Sequence, residues 1–134
     1  MDDHIFIDTS AFKALVDPKD DFHKVVKQIW SKLQKEDATL VTTNYILDES
    51  FTLMRARCGV KVVDAFRQIL ARSPNIKIVR VTAADEAKAW NWFMKDWSKL
   101  SFTDCVSFAV MKRLRLQRVV SFDDHFKRAG FHLE

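Results

Sequence analysis

Residues 100–114 read L-S-F-T-D-C-V-S-F-A-V-M-K-R-L, from Leu100 to Leu114. Wound as a helix at about 100° per residue, Phe102, Cys105, Val106, Phe108, Ala109, Val110, Met111 and Leu114 fall around nearly the whole circumference. A helix that is apolar on all sides is a buried one. Yet its first turn carries Asp104, and an ionised carboxylate is costly to bury without hydrogen bonds, a cation or a metal. A local explanation exists: Ser101-x-x-Asp104 fits a capping box, and an acid suits the positive end of the helix dipole. Whether Asp104 is more than a cap depends on the acids elsewhere in the chain.

Working outward, Arg118-Val-Val-Ser-Phe122 follows the helix as an apolar strand that runs into Asp123. Asp124 to Arg128 reads as a turn or short helix, and Gly130 to Leu133 as an edge strand. At the other end of the chain, His4-Ile-Phe-Ile7 is a buried strand that ends at Asp8 and leads into a helix over Ser10 to Val16. Asp17-Pro18 makes a turn, and an amphipathic helix spans Asp21 to Lys35. A second strand covers Ala38 to Thr42 and a third Ile76 to Val81. Helices are expected over Asn44 to Arg57, over Val60 to Arg72 after a C-terminal Gly59, and over Ala83 to Trp97 behind a Thr82-x-x-Asp85 capping box. The aromatics of this last helix, Trp90, Trp92, Phe93 and Trp97, are expected to pack in preference to stacking bases.

Strands alternating with helices indicate an α/β fold with a largely parallel central sheet, in one domain over residues 1–134. Hydrophobic residues make up 48% of the chain, with two glycines and two prolines, which excludes disordered and collagen-like classes. No apolar run reaches the ~20 residues of a membrane span, and the acidic start Met1-Asp-Asp-His4 does not read as a signal peptide. Cys58 and Cys105, at no metal-ligand spacing, are expected as reduced thiols in a cytoplasmic protein. A net charge of +4 is compatible with a nucleic-acid partner; Arg55, Lys112, Arg113 and Arg128 are unranked candidates for phosphate contact.

In parallel sheets ligands bind beyond the carboxyl ends of the strands. Asp8 and Asp123 stand at two such ends. Glu49 borders the inward arc of its helix, formed by Ile46, Leu47, Ser50, Phe51, Leu53 and Met54, whereas Asp48 and Thr52 face away. Asp104 starts a helix that must run antiparallel to the strand it feeds, so it begins at the same edge. Four convergent carboxylates raise each other's pKa and call for a divalent cation; hard oxygen donors suit Mg²⁺ or Mn²⁺. Such an ion supports hydrolysis of a phosphodiester. Thr9 and Ser121 are placed to orient ligands or water. The four histidines, His4, His23, His125 and His132, are scattered and are expected in surface or packing roles.

The segments I-F-I-D-T-S-A-F, N-Y-I-L-D-E-S, L-S-F-T-D-C-V-S-F-A-V-M and V-V-S-F-D-D-H-F-K-R-A-G-F, in this order from Ile5 to Phe131, resemble those of PIN-domain proteins. The likeness is greatest to the short ribonucleases of the VapC toxin type. It implies a three-layer α/β/α sandwich and an endoribonuclease dependent on Mg²⁺ or Mn²⁺, with its acids at Asp8, Glu49, Asp104 and Asp123 and a hydroxyl at Ser121. It further implies an RNA substrate, a homodimer and a cognate antitoxin. Asp124 departs from the basic residue that relatives often carry there. The alternative is a catalytically inactive PIN-like module that binds RNA or protein. An aspartyl-phosphate enzyme using Asp8 as nucleophile ranks last, because Ser10 stands where a second Asp would be expected.

Overall fold

A computed structural model describes residues 4–134; residues 1–3 of the expected domain lie outside the described residues. The elements follow in the order β1 (His4–Ile7), α1 (Thr9–Val16), α2 (His23–Lys35), β2 (Thr39–Thr43), α3 (Asn44–Cys58), α4 (Val60–Arg72), β3 (Ile76–Val79), α5 (Ala83–Phe93), α6 (Phe102–Arg113), β4 (Arg118–Val120), α7 (His125–Arg128) and β5 (His132–Leu133). The sheet has the order β3-β2-β1-β4-β5, and every pairing is parallel. Phe6 stands opposite Val41 on one side and Val119 on the other. Ile5, Phe6 and Ile7 are fully buried, as a central parallel strand covered on both faces requires. Right-handed crossovers carry α1–α4 over one face and α5–α7 over the other, and the helices pack among themselves in those two groups, with α3 also reaching α6.

This order has one functional consequence. The chain winds outward from β1 to β3, then returns across the sheet to add β4 on the far side of β1. The reversal lies between β1 and β4, and a crevice opens at such a switch point beyond the strand ends. Asp8 follows β1 directly, and its backbone N–H donates to Val120 O at the end of β4 at 3.1 Å.

The buried helix is as expected: Asp104 to Met111 are buried without interruption. The local explanation offered for Asp104 holds, and the capping box forms. Ser101 Oγ accepts from the Asp104 N–H at 3.0 Å, and Asp104 Oδ2 accepts from the Ser101 N–H at 3.4 Å. Phe108 packs edge-on against Phe126 at 5.1 Å, fixing α7 to the core. Burying one such aromatic is worth about 1.5–3 kcal/mol. Gly59 carries φ +92°, a conformation that joins α3 to α4 and that side-chain-bearing residues rarely adopt.

Some boundaries differ from expectation. Helix α5 ends at Phe93 rather than Trp97, because Trp97 turns back to lie on the His125 ring at 6.4 Å, with the Arg128 guanidinium 4.4 Å from its own ring. Strand β4 stops at Val120, where Ser121 turns its hydroxyl to Asp8. Packing holds for Trp92, set against Phe108, but Trp90 is 51% exposed and forms a surface cluster with Phe93 and Phe102. No helix among the described residues is long and apolar enough to cross a membrane.

Candidate active site

Asp8, Glu49, Asp104 and Asp123 line one cleft of about 230 Å³ at the switch point, together with Thr9, Ser10, Lys99 and Ser101. At about 30 Å³ per water, this volume holds an ion with part of its hydration shell. Four elements distant in sequence supply the carboxylates: the end of β1, helix α3, the first turn of α6 and the loop after β4.

Asp8 is the most enclosed of the four, 3% exposed. Its Oδ2 accepts from Ser121 Oγ at 2.8 Å and from Ser10 Oγ at 3.1 Å. Its Oδ1 is buried and has no hydrogen-bond partner among the described residues. A buried acceptor left this way costs about 1–3 kcal/mol, so the site is built for a donor or cation that the polypeptide does not itself supply. Burial raises the Asp8 pKa to about 6, with the Glu49 charge adding to it and the Ser121 and Ser10 hydroxyls opposing it. Asp104 is raised to about 7, first by burial and then by the charges of Asp8, Asp123 and Glu49. Asp104 thus feels the charge of each of the other three acids.

The hydroxyls orient the acids. Thr9 Oγ1 donates to Glu49 Oε1 at 2.6 Å, pinning the α3 carboxylate to the start of α1. Ser10 and Ser121 stand 3.3 Å apart, so the two seryl oxygens and Asp8 form one network. Ser121 Oγ also accepts from the Asp123 N–H at 3.0 Å, and Ser10 Oγ from the Phe122 N–H at 2.9 Å. Glu49 is half-buried while Asp48 and Thr52 are exposed, as the helical wheel requires.

Sequence reasoning missed three residues here. Ser10, noted only as the wrong residue for an aspartyl-phosphate enzyme, is a partner of Asp8. Lys99 is the cation that lines the cleft, held at φ +60° in the left-handed region that residues with side chains seldom enter. The basic candidates chosen from sequence are placed otherwise. Arg113 grips buried Asp85 through Nε at 2.9 Å and Nη2 at 2.8 Å, and holds the Asp85 pKa down. Lys112 lies over the Phe131 ring and Arg128 over Trp97. Arg55 is exposed on α3 and does not line the cleft.

The third is His125, expected to be a surface or packing residue. Its Nδ1 lies 2.9 Å from Asp123 Oδ1 and 3.4 Å from Asp104 Oδ2, and its Nε2 lies 2.8 Å from Ser98 O. Burial works against its charge, but the Ser98 carbonyl and the carboxylates of Asp123 and Asp104 outweigh burial and raise its pKa. The only signal in sequence was its position two residues after Asp123. Donor atoms of Asp104, Asp123 and His125 all lie within 4.8 Å of one another. With the unpartnered Asp8 oxygen, this set fits a divalent cation.

A profile of the PIN domain matches residues 5–132. Over 128 residues the chain is 36% identical to the 23S rRNA-specific endonuclease VapC20 of Mycobacterium tuberculosis, a match covering 95% of each chain. The crystal structure of that VapC20, a Sarcin-Ricin loop cleaving toxin, superposes with a TM-score of 0.84 at 34% identity over 96% of each chain. FitAcB from Neisseria gonorrhoeae shares the fold, with a TM-score of 0.69 at 17% identity over 96% of this chain and 95% of that one. A family match along nearly the whole chain, and a relative more than a third identical, make this chain a member of the PIN-domain family, of the VapC type.

Proposed function

We propose that this chain is a metal-dependent endoribonuclease and acts as the toxin of a toxin–antitoxin pair. The observation that carries the reading is the meeting of Asp8, Glu49, Asp104 and Asp123 in one cleft with a buried Asp8 oxygen left without a partner. The endonuclease name of the VapC20 relative supports it, and makes ribosomal RNA the first substrate to test. The antitoxin, a homodimeric assembly and a cytoplasmic location follow from the same kinship and belong to the proposal.

In this reading Asp8, Glu49, Asp104 and Asp123, which line the cleft, would hold Mg²⁺ or Mn²⁺. A bound ion of this kind lowers the pKa of water and offsets charge on the attacked phosphorus and on the leaving oxygen. Ser121 and Ser10 fix Asp8 through Oδ2, leaving Oδ1 for the ion, and Thr9 fixes Glu49 through Oε1. Lys99, at the rim, meets the phosphate backbone of the strand. A catalytically inactive binding module has no use for four clustered carboxylates, and this arrangement does not favour that alternative.

The test is cleavage of purified ribosomal RNA by the wild type with Mg²⁺, with Mn²⁺ and with EDTA, beside Asp8→Asn and Asp104→Asn. Cleavage that needs metal and both acids supports the proposal. Equal cleavage by wild type and variants, or cleavage that survives EDTA, contradicts it.

A further inference from the structure

We propose that His125 is a nitrogen ligand of the metal held by Asp104 and Asp123, and that it biases the site toward Mn²⁺ over Mg²⁺. The inference rests on the nuclease reading for its cation and goes beyond it in the ligand set. His125 Nε2 faces the Ser98 carbonyl at 2.8 Å, an acceptor, so this nitrogen carries the ring proton in the neutral tautomer. The lone pair of Nδ1 is then turned toward Asp123 Oδ1 at 2.9 Å and Asp104 Oδ2 at 3.4 Å. Three acceptors in that arrangement repel one another unless a proton or a metal cation lies among them, and the metal takes the place of that proton. Nδ1 is buried, and it makes no hydrogen bond of acceptable geometry to either carboxylate.

The surroundings match those of a ligating imidazole. A metal-bound histidine almost always gives its second N–H to a carbonyl or carboxylate, which fixes tautomer and ring orientation. Here the acceptor is Ser98 O, and Trp97 lies nearly parallel to the ring, 22° off, with Arg128 over the outer indole. Ligands on one edge of an octahedron at ~2.1 Å lie roughly 3 Å apart, close to the 2.9 and 3.4 Å separations of Nδ1 from the two carboxylates. The second observation pointing to a ligand is the Asp8 Oδ1 atom, buried and unpartnered in the same cleft. An imidazole donor favours first-row transition ions over Mg²⁺, which keeps to oxygen.

Electron spin-echo modulation of Mn²⁺ bound to the full-length protein tests this without reference to activity. The expected result is coupling to a directly coordinated nitrogen, altered on labelling histidine with ¹⁵N, lost in His125→Gln and retained in His132→Gln. Mn²⁺ affinity should fall severalfold more than Mg²⁺ affinity in His125→Gln, because a histidine that only positioned carboxylates would weaken both alike. Mn²⁺ bound with no nitrogen coupling in the wild type overturns the ligand assignment and leaves the nuclease reading standing. No Mn²⁺ bound at all overturns both. The wild-type spectrum decides even if His125→Gln does not fold.

Discussion

Ser121 donates its hydroxyl proton to Asp8 Oδ2 at 2.8 Å, across the seam where β4 lies beside β1. This bond fixes one oxygen of a buried carboxylate and leaves the other, Oδ1, buried without a hydrogen-bond partner among the described residues. The polypeptide thereby keeps a charge-bearing group under strain at the point where the sheet reverses its order. Burial, which disfavours the charge, and the proposed metal site, which needs it, are opposed in this carboxylate.

The first prediction concerns that opposition. Replacing Asp8 or Asp104 by Asn removes a charge that burial disfavours, so each variant should be more stable than the wild type in EDTA while losing cleavage. At about 1.4 kcal/mol per pKa unit, the rises from 3.8 to about 6 and about 7 set upper limits of about 3 and about 4 kcal/mol on the gain, less the hydrogen bonds weakened by Asn. Urea unfolding measures it. An equal or greater loss of stability in both variants would contradict the picture of a strained, metal-ready site.

The pH dependence follows from the same groups. Asp8 and Asp104 carry folded pKa values of about 6 and about 7, raised from 3.8. Between about pH 4 and pH 7 the folded chain therefore binds more protons than the unfolded one, and stability falls as pH rises. His125, also raised, acts in the same direction: its contribution is full below about 6.5 and is lost as pH climbs through its folded value. Asp85, whose pKa is lowered, contributes stability that is lost only as pH falls below this window. Denaturant midpoints in EDTA should thus be higher at pH 5 than at pH 8, and Mn²⁺ should close the gap at pH 8. A midpoint that rises with pH over this range would run against the account.

Ser121→Ala should leave the fold intact and weaken metal binding. The hydroxyl holds Asp8 Oδ2 and receives the Asp123 N–H at 3.0 Å, and losing such an orienting partner typically costs 10–100-fold in metal affinity or activity. Calorimetric titration with Mn²⁺ gives the readout, with Ser121→Thr restoring part of the loss.

Lys99 and Arg113 should separate cleanly. Lys99 lines the carboxylate cleft, so Lys99→Ala should raise KM for RNA and reduce the salt slope of binding by about one unit. Arg113 is spent on buried Asp85, so Arg113→Ala should destabilise by about 1–3 kcal/mol, as for a buried acceptor that loses a partner, and leave KM unchanged in the folded fraction. A KM effect in Arg113→Ala equal to that of Lys99→Ala would reverse the assignment.

Much of this molecule is legible in the sequence because its signals are local or periodic. The all-round apolar pattern after Ser101 marked the buried helix, and the Ser101 and Thr82 capping boxes form as read. Element order alone brought Asp8, Glu49, Asp104 and Asp123 to one edge, where they line the same cleft. The roles that depend on how a loop folds back were not legible. Nothing in the residues around Trp97 announces that the helix stops at Phe93 so that Trp97 can cover His125, and this fold-back accompanies the delivery of Lys99 to the cleft. Arg113 stood among four unranked candidates for phosphate contact because its partner, Asp85, reads as a cap and is both cap and buried counter-ion.

The most direct measurement is the anomalous diffraction of crystals grown with Mn²⁺. The account predicts a peak within about 2.1 Å of Asp8 Oδ1 and of the facing Asp104 and Asp123 carboxylates, disappearing in Asp104→Asn. A fully Mn²⁺-saturated crystal with its peaks elsewhere, and none at Asp8, would contradict the claim that these acids converge to hold the ion.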